Sequence, residues 1–111
     1  ELAKQMIDRL VKNSKKEISI DYIQKVVCDY FNLSPDMLQS KTRKREIVQA
    51  RQVAMYFSKN LTNSSLSAIG SIIGRRDHAT VLHACKAVKN LKETNTEFKH
   101  QLKEIEGLIR K

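Results

Sequence analysis

The stretch from Ile69 to Val88 constrains the fold most, because its pattern predicts two short helices around a tight turn. Apolar residues at helical spacing predict a first helix from about Leu66 to Ile73, and Ser65 before it is a suitable N-cap. Gly74 follows directly, and glycine tolerates the left-handed backbone conformation that ends a helix. Such a stop, followed by a short turn and a second helix, is typical of a helix-turn-helix.

The second helix of the pair is expected to begin near His78, with the Asp77 carboxylate as its N-cap. Its apolar residues step by three, four and three positions and therefore share one buried face: Val81, Ala84, Val88 and Leu91. The exposed start of this helix, residues 75–80, is crowded with hydrogen-bonding side chains. A helical hairpin with only a structural role does not need such side chains. Their presence therefore indicates that this end of the helix contacts base edges and phosphates.

Helical spacing of apolar residues extends along the chain, which has only one proline and three glycines in 111 residues. We therefore predict an all-α fold, a small helical domain that contains the helix-turn-helix. Ser19 is expected to cap an early helix. Ser34, with Pro35 at the first helical position, is expected to start a short helix that ends near Gln39.

The two ends of the chain carry weaker signals. Residues from Glu1 to Lys12 have the apolar spacing of a helix but no preceding cap, and residues 13–17 are polar and short, as in a hinge. The chain is therefore expected to begin partway through a longer protein. Near the other end, Thr94-x-x-Glu97 has the pattern of a capping box and predicts a last helix through about Ile109.

Positive charge is concentrated in the middle of the chain. Residues 41–45, here named the basic loop, contain four cations and no apolar side chain. Residues 41–60 carry six cations and one anion, a net charge of +5, whereas residues 19–40 carry one cation and three anions, a net charge of −2. The helix after the loop is expected to bury Ile47, Ala50, Ala54, Phe57 and Leu61. Its other side is expected to form one exposed basic face with Lys44, Arg45, Arg51, Gln52 and Lys59.

The formal net charge of the whole chain is +9, which favours an anionic partner, either nucleic acid or an acidic membrane surface. Cys28 and Cys85 lack the spacing of paired metal ligands, so we expect small core residues and no metal site. The sequence has no signal-like or membrane-spanning segment, which predicts a cytoplasmic protein. It also lacks phosphate-binding loops and nucleophile motifs, so no catalytic residue is expected.

The turn and the second helix also match a known signature, which comprises Ile69-Gly70, Gly74, Arg76-Asp77-His78, Thr80-Val81 and Ala84. These residues resemble the C-terminal DNA-binding domain of the DnaA family of bacterial chromosomal replication initiators. Similar matches to the family's basic loop, following helix and approach to the turn are Ser40-Lys41, Arg43, Arg45, Arg51-Gln52, Ala54-Met55 and Leu61-Thr62-Asn63. The similarity covers about Ser19 to Lys111. Two positions depart from it: Arg75 stands where the family often has glycine, and Ala79 where it usually has serine or threonine.

The resemblance implies that the domain binds double-stranded DNA at a short site, the DnaA box, for initiation of chromosomal replication. We expect Asp77, His78 and Ala79 to contact bases in the major groove and Arg43 to contact bases in the minor groove. The expected phosphate contacts are Lys44, Arg45, Arg51, Gln52, Lys59, Arg76 and Thr80, together with backbone N–H groups of Leu66 and Ser67. Arg75 is an additional phosphate candidate that is particular to this sequence.

The same resemblance divides the chain at its hinge. Residues 1–18 look like a connector helix and hinge that follow an absent AAA+ ATPase domain, and residues 19–111 look like the DNA-binding domain. No cofactor is expected in these residues, whereas the resemblance implies ATP and assembly on DNA for the full-length protein; the isolated domain is expected to be monomeric. The alternative is a helical module that binds another protein or acidic phospholipids. Strong dependence of binding on base sequence would separate DNA reading from both.

Overall fold

The structure, a computed structural model, describes residues 18–74 and 76–110. This part of the chain forms six helices and no strand, which confirms the all-α prediction. The helices are α1 (Ile20–Phe31), α2 (Pro35–Gln39), α3 (Arg45–Leu61), α4 (Leu66–Ile72), α5 (His78–Thr94) and α6 (Thr96–Ile109). The predicted connector helix and hinge lie outside the described residues, apart from Ile18.

Local capping chemistry explains where several helices start. The Ser19 hydroxyl accepts a hydrogen bond from the Tyr22 N–H (3.1 Å), and the Ser65 hydroxyl accepts one from the Ala68 N–H (3.1 Å). Each cap satisfies one of the N–H groups that a helix start leaves without an intrahelical acceptor. Both predicted caps are therefore confirmed. Ser34 also stands at the predicted N-cap position of α2, although its side chain makes no capping hydrogen bond.

The predicted capping box at the start of the last helix is wrong. Thr94 is the final residue of α5, and its hydroxyl donates to the carbonyl oxygen of Asn90 (3.1 Å). The N-cap of α6 is Asn95, whose Oδ1 accepts a hydrogen bond from the Phe98 N–H (3.0 Å). The two residues are adjacent and both have suitable side chains, and the threonine is engaged by the preceding helix.

Helix α3 lies at the centre of the fold and packs against α1, α2, α4 and α5, while α6 packs against α1 and α5. The predicted buried residues of α3 are confirmed, with Leu61 half-buried at its end. Ile23, Ile69 and Ile105 join them in the core and are 0% exposed. Burial of each such side chain contributes about 1.5–3 kcal/mol to stability. The two helices of the helix-turn-helix, α4 and α5, thus both pack against α3.

The cysteines are part of this apolar packing. Cys28 is buried and Cys85 is half-buried, and burial raises the pKa of both thiols above its ordinary value. Across the described ranges, no three histidine, cysteine, aspartate or glutamate side chains come together in a group that could hold a metal ion. In the same ranges, no helix has both the length and the apolar character that crossing a bilayer requires.

Candidate nucleic-acid interface

The turn between α4 and α5 is closed by backbone contacts. Gly74 has a φ of 76°, in the left-handed region, as the sequence predicted. Beyond it, the Arg76 N–H donates to the Gly70 carbonyl oxygen (2.7 Å) and folds the turn back onto α4. A Cβ atom at Gly70 would lie 2.1 Å from the Arg76 carbonyl oxygen, so only glycine fits at this position without displacing the turn. Gly70 therefore determines how closely the two helices approach.

The Asp77 side chain starts α5. Its Oδ1 accepts hydrogen bonds from the Thr80 N–H (2.9 Å) and the Thr80 hydroxyl (2.9 Å), which confirms the predicted cap. These hydrogen bonds stabilise the carboxylate and lower the pKa of Asp77 below its ordinary value. In this described part of the chain, Asp77 pairs with Thr80 and forms no ion pair with Arg76. The carboxylate thus fixes the helix start.

The first turn of α5 presents its side chains to solvent. His78, Ala79 and Thr80 are exposed, whereas the predicted buried face is formed by Val81, Ala84 and Val88, with Leu91 half-buried. Because the buried face holds α5 against α3 and α4, the start of the helix projects from the domain in a fixed direction. The side chains predicted to contact bases are therefore accessible to a partner.

Arg51 does not lie on the exposed basic face, and its predicted placement there is wrong. The residue is 6% exposed. Its Nε donates to the Leu38 carbonyl oxygen (2.9 Å) and its Nη2 donates to the Ser40 carbonyl oxygen (2.8 Å). The guanidinium turns inward because the end of α2 supplies these two acceptors. Burial lowers the pKa of Arg51, and the nearby charge of Arg76 lowers it further.

The basic loop connects α2 to α3 on the surface of the domain. Arg43 and Lys44 are exposed, and Arg45 is the first residue of α3. Within the loop, the Thr42 hydroxyl accepts a hydrogen bond from the Lys44 N–H (3.3 Å). A cleft of about 450 Å³ is lined by the loop and by both α3 and α5; its residues are Arg43, Arg45, Val48, Gln49, Gln52, Ala87 and Leu91. The loop and α5 therefore share one side of the molecule.

The remaining predicted phosphate contacts are distributed over several clefts and the start of α4. Gln52, Arg76 and Thr80 line a second cleft, which joins α3 to the start of α5. Lys59 is exposed but lines a different cleft, together with Lys86 and Lys89. At the start of α4, Leu66 is half-buried and Ser67 is exposed. Arg75 lies outside the described residues.

The role of Gln39 was not predicted from the sequence. The side-chain amide of this residue donates to the Gln24 Oε1 (2.8 Å) and to the Ile72 carbonyl oxygen (2.9 Å). Its Oε1 accepts a hydrogen bond from the Gly74 N–H (3.0 Å). Gln39 thus joins α1, α2 and the turn of the helix-turn-helix. No local pattern could have revealed it, since two of these partners lie more than 30 residues further along the chain.

Comparison with known proteins agrees with this architecture. A family model described as "Bacterial dnaA protein helix-turn-helix" matches residues 20–88. A protein of Flavobacterium psychrophilum named "Chromosomal replication initiator protein DnaA" is 63% identical over 105 residues, covering 95% of this chain and 22% of that protein. A protein of Bacteroides thetaiotaomicron with the same name is 50% identical over 111 residues, covering 100% of this chain and 24% of that protein.

The chain thus spans less than a quarter of the length of these relatives. The family match includes α1 to α4 and most of α5, and so contains the closed turn and the exposed helix start described above. The resemblance seen in the sequence is confirmed over more than half of the chain. This chain belongs to the bacterial DnaA helix-turn-helix family.

Proposed function

We propose that this domain binds double-stranded DNA at a specific short site and serves initiation of chromosomal replication. The observation that carries the proposal is the exposed start of α5, which a closed turn holds in place on a helix that shares a cleft with the basic loop. Its relatives are named as chromosomal replication initiators, and the matched family is a helix-turn-helix domain and not a catalytic one. The resulting hypothesis is that α5 enters the major groove while the basic loop enters the adjacent minor groove.

In the major groove, His78 and Asp77 are the proposed hydrogen-bonding residues, and the methyl group of Ala79 contacts a thymine methyl group. Asp77 can combine this role with capping, because Thr80 occupies only Oδ1 of its carboxylate. Its Oδ2 would accept a hydrogen bond from a cytosine amino group, which is a suitable donor in this groove. His78 is fully outside the packed face of α5 and makes the principal base contact.

In the minor groove, Arg43 is the proposed base-contacting residue. The side chain is exposed in the basic loop, whose formal charge is +4. A narrow A·T-rich minor groove has an enhanced negative potential that attracts an inserted guanidinium. Arg43 therefore supplies a preference for A·T base pairs on one side of the site.

Phosphate contacts are proposed to hold the domain in register. Their sources are Lys44, Arg45, Gln52, Lys59 and Arg76, with the backbone N–H groups of Leu66 and Ser67 and, outside the described residues, Arg75. Arg51 is left out because its guanidinium is directed at α2. Thr80 joins the set only when its hydroxyl proton turns from Asp77 to a phosphate oxygen, because a phosphate offers acceptors alone.

Fluorescence anisotropy tests the proposal directly. The domain is titrated against a duplex that carries a DnaA box and against a shuffled duplex of equal composition, at several salt concentrations. We expect the box to bind at least about tenfold more tightly at moderate salt, since specific sites exceed non-specific binding by large factors. Equal affinities would contradict sequence reading and would favour the alternative, a helical module that binds another protein or acidic phospholipids.

We further propose that this chain is one part of a longer protein. We infer that residues 1–18 connect the DNA-binding domain, residues 19–111, to an upstream ATP-binding domain, and that the full-length protein is cytoplasmic and assembles on DNA. The isolated domain is proposed to be monomeric, because one helix-turn-helix occupies one asymmetric site. Sedimentation of the domain with and without a single-box duplex tests this stoichiometry.

A further inference from the structure

Two side chains connect the turn of the helix-turn-helix to the start of the basic loop. Gln39, at the end of α2, holds the turn through the Ile72 carbonyl oxygen and the Gly74 N–H. Arg51 of α3 holds the same end of α2 through the carbonyl oxygens of Leu38 and Ser40. We name these two side chains the α2 clamp.

Both side chains of the α2 clamp also contact Gly74. A Cβ atom at Gly74 would lie 3.3 Å from the Arg51 Cδ and 3.3 Å from the Leu38 carbonyl oxygen. The turn therefore sits directly on the buried arginine and on the end of α2. A displacement of α2 must move the turn, or break the two hydrogen bonds that join the Gln39 amide to it.

The basic loop begins where the clamp ends. The carbonyl oxygen of Ser40 accepts a hydrogen bond from Arg51, and Ser40 directly precedes Lys41. The loop ends where α3 begins, at Arg45. Since a residue spans at most about 3.6 Å, the Cα of Arg43 lies within roughly 11 Å of the Ser40 anchor. The position of the clamp thus limits where Arg43 can reach relative to the start of α5.

We propose that the α2 clamp is a positioning device that couples minor-groove reading by Arg43 to major-groove reading by His78, with Gln39 as its positioning residue. The inference rests on the proposed function. Two contacts on one rigid body bind DNA more tightly than two contacts joined loosely, because the second contact is already in place when the first forms. Without Gln39, α5 keeps its own cap and base contacts and Arg51 still holds Ser40, but the end of α2 is no longer joined to the turn, so the distance between the loop and the start of α5 is held less tightly.

The test is the effect of Arg43→Ala on affinity for a box duplex, measured with and without Gln39→Leu. In the otherwise unchanged domain, we expect Arg43→Ala to weaken binding about tenfold, as for loss of a base contact. In the Gln39→Leu background, the same change should weaken binding less than about threefold. His78→Ala should keep its full effect in both backgrounds. A merely structural role of Gln39 would reduce both effects or neither.

Gln101→Leu is the control for the substitution itself, since it replaces a glutamine of α6, a helix that packs against α1 and α5. All titrations are run well below the unfolding temperature of each variant, measured by circular dichroism. If Gln39→Leu does not fold, Gln39→Glu replaces it. A glutamate keeps an acceptor for the Gly74 N–H but cannot donate to Gln24 or Ile72, and the same selective loss is expected.

The outcomes separate this inference from the proposed function. If the unchanged domain does not distinguish the box from a shuffled duplex, the proposed function itself fails. If the domain distinguishes them and Arg43→Ala has the same effect with and without Gln39, the coupling is overturned while DNA reading stands. If Arg43→Ala has no effect in the unchanged domain, the coupling is overturned together with the minor-groove contact.

Discussion

The start of α5 and the basic loop are both exposed and polar, yet the fold holds them in different ways. The start of α5 is fixed by the Asp77 cap and by a turn whose backbone hydrogen bonds to Gly70. The basic loop is held from outside at its first end, where Arg51 binds the Ser40 carbonyl oxygen. Beyond that anchor, its hydrogen bonds are local: the Ser40 hydroxyl accepts from the Thr42 N–H, and the Thr42 hydroxyl accepts from the Lys44 N–H.

This difference indicates how each region contributes to binding. The start of α5 is already in one conformation, so a partner has little conformational entropy to remove there. The basic loop has fewer contacts that fix it, so under the proposed function it is ordered further on binding. Substitutions around the turn should therefore change folding stability first, whereas substitutions in the loop should change affinity with little effect on stability.

The strongest test of the rigid side of this comparison is Gly70→Ala. The added Cβ would overlap the Arg76 carbonyl oxygen, so we expect a loss of about 3 kcal/mol or more in the free energy of unfolding. Urea denaturation measures this change. The control is Gly107→Ala on α6, where a Cβ would meet no atom within 4 Å. That substitution should stabilise by about 0.5–1 kcal/mol. Similar results for both glycines would show that the turn is not tightly closed.

Arg51→Met tests the anchor that the two regions share. It leaves the carbonyl oxygens of Leu38 and Ser40 without their buried donor, and we expect a loss of about 2–3 kcal/mol in the free energy of unfolding. Arg45→Met, at the exposed start of α3, should change stability by less than about 0.5 kcal/mol. Equal effects of the two substitutions in urea denaturation would mean that Arg51 is not the anchor of α2.

His78→Ala tests whether the fixed start of α5 reads bases. We expect a loss of about 1–3 kcal/mol in binding to the box duplex and little loss with a shuffled duplex. Lys59→Ala is the contrasting variant, since loss of a phosphate contact should weaken both complexes alike and reduce the salt dependence by about one counterion. Anisotropy titrations in a salt series measure both. If His78→Ala lowers the affinity for both duplexes equally, His78 does not contact bases specifically.

The Asp77 cap makes a pH-dependent contribution to the rigid region. Its pKa in the folded protein is lowered, so its charged form contributes stability that is present above the pKa of an unfolded aspartate and is lost as pH falls through the folded pKa. We expect Asp77→Asn, which cannot titrate, to lower the unfolding temperature slightly at pH 7. The gap should close below about pH 4. A gap that stays constant down to pH 2 would contradict this role of the carboxylate.

The smallest expected effect is that of Ala79→Thr, which adds a hydroxyl to the exposed surface of α5. We predict that it raises the ratio of specific to non-specific affinity by up to about 1 kcal/mol, because threonine offers a base both a methyl group and a hydroxyl. Titration against a box and against single-base variants measures this ratio. An unchanged or reduced ratio would show that the alanine methyl already suffices or that threonine is too large.

The sequence by itself determined the parts of this protein that depend on neighbouring residues. Helix starts at Ser19, Ser65 and Asp77 follow from side-chain oxygens that reach N–H groups three residues ahead. Gly74 ends α4 because of its own backbone freedom. The error at Thr94 has the same origin. Thr94 and Asn95 are adjacent and both have side chains that can cap a helix, and the sequence alone does not show that Asn95 is the residue that caps α6. The base and phosphate contacts stay predictions.

Only the tertiary structure decided that Arg51 is buried and which distant partners the polar side chains find. Arg51 has the helical position of an exposed residue, yet it finds acceptors 11 and 13 residues away at the end of α2. Gln39 reaches the turn 33 and 35 residues away, and Gly70 is required by a carbonyl oxygen on the far side of that turn. Periodicity assigns a face from one helix alone, whereas the environment of these residues is created by elements that meet only when the chain has folded.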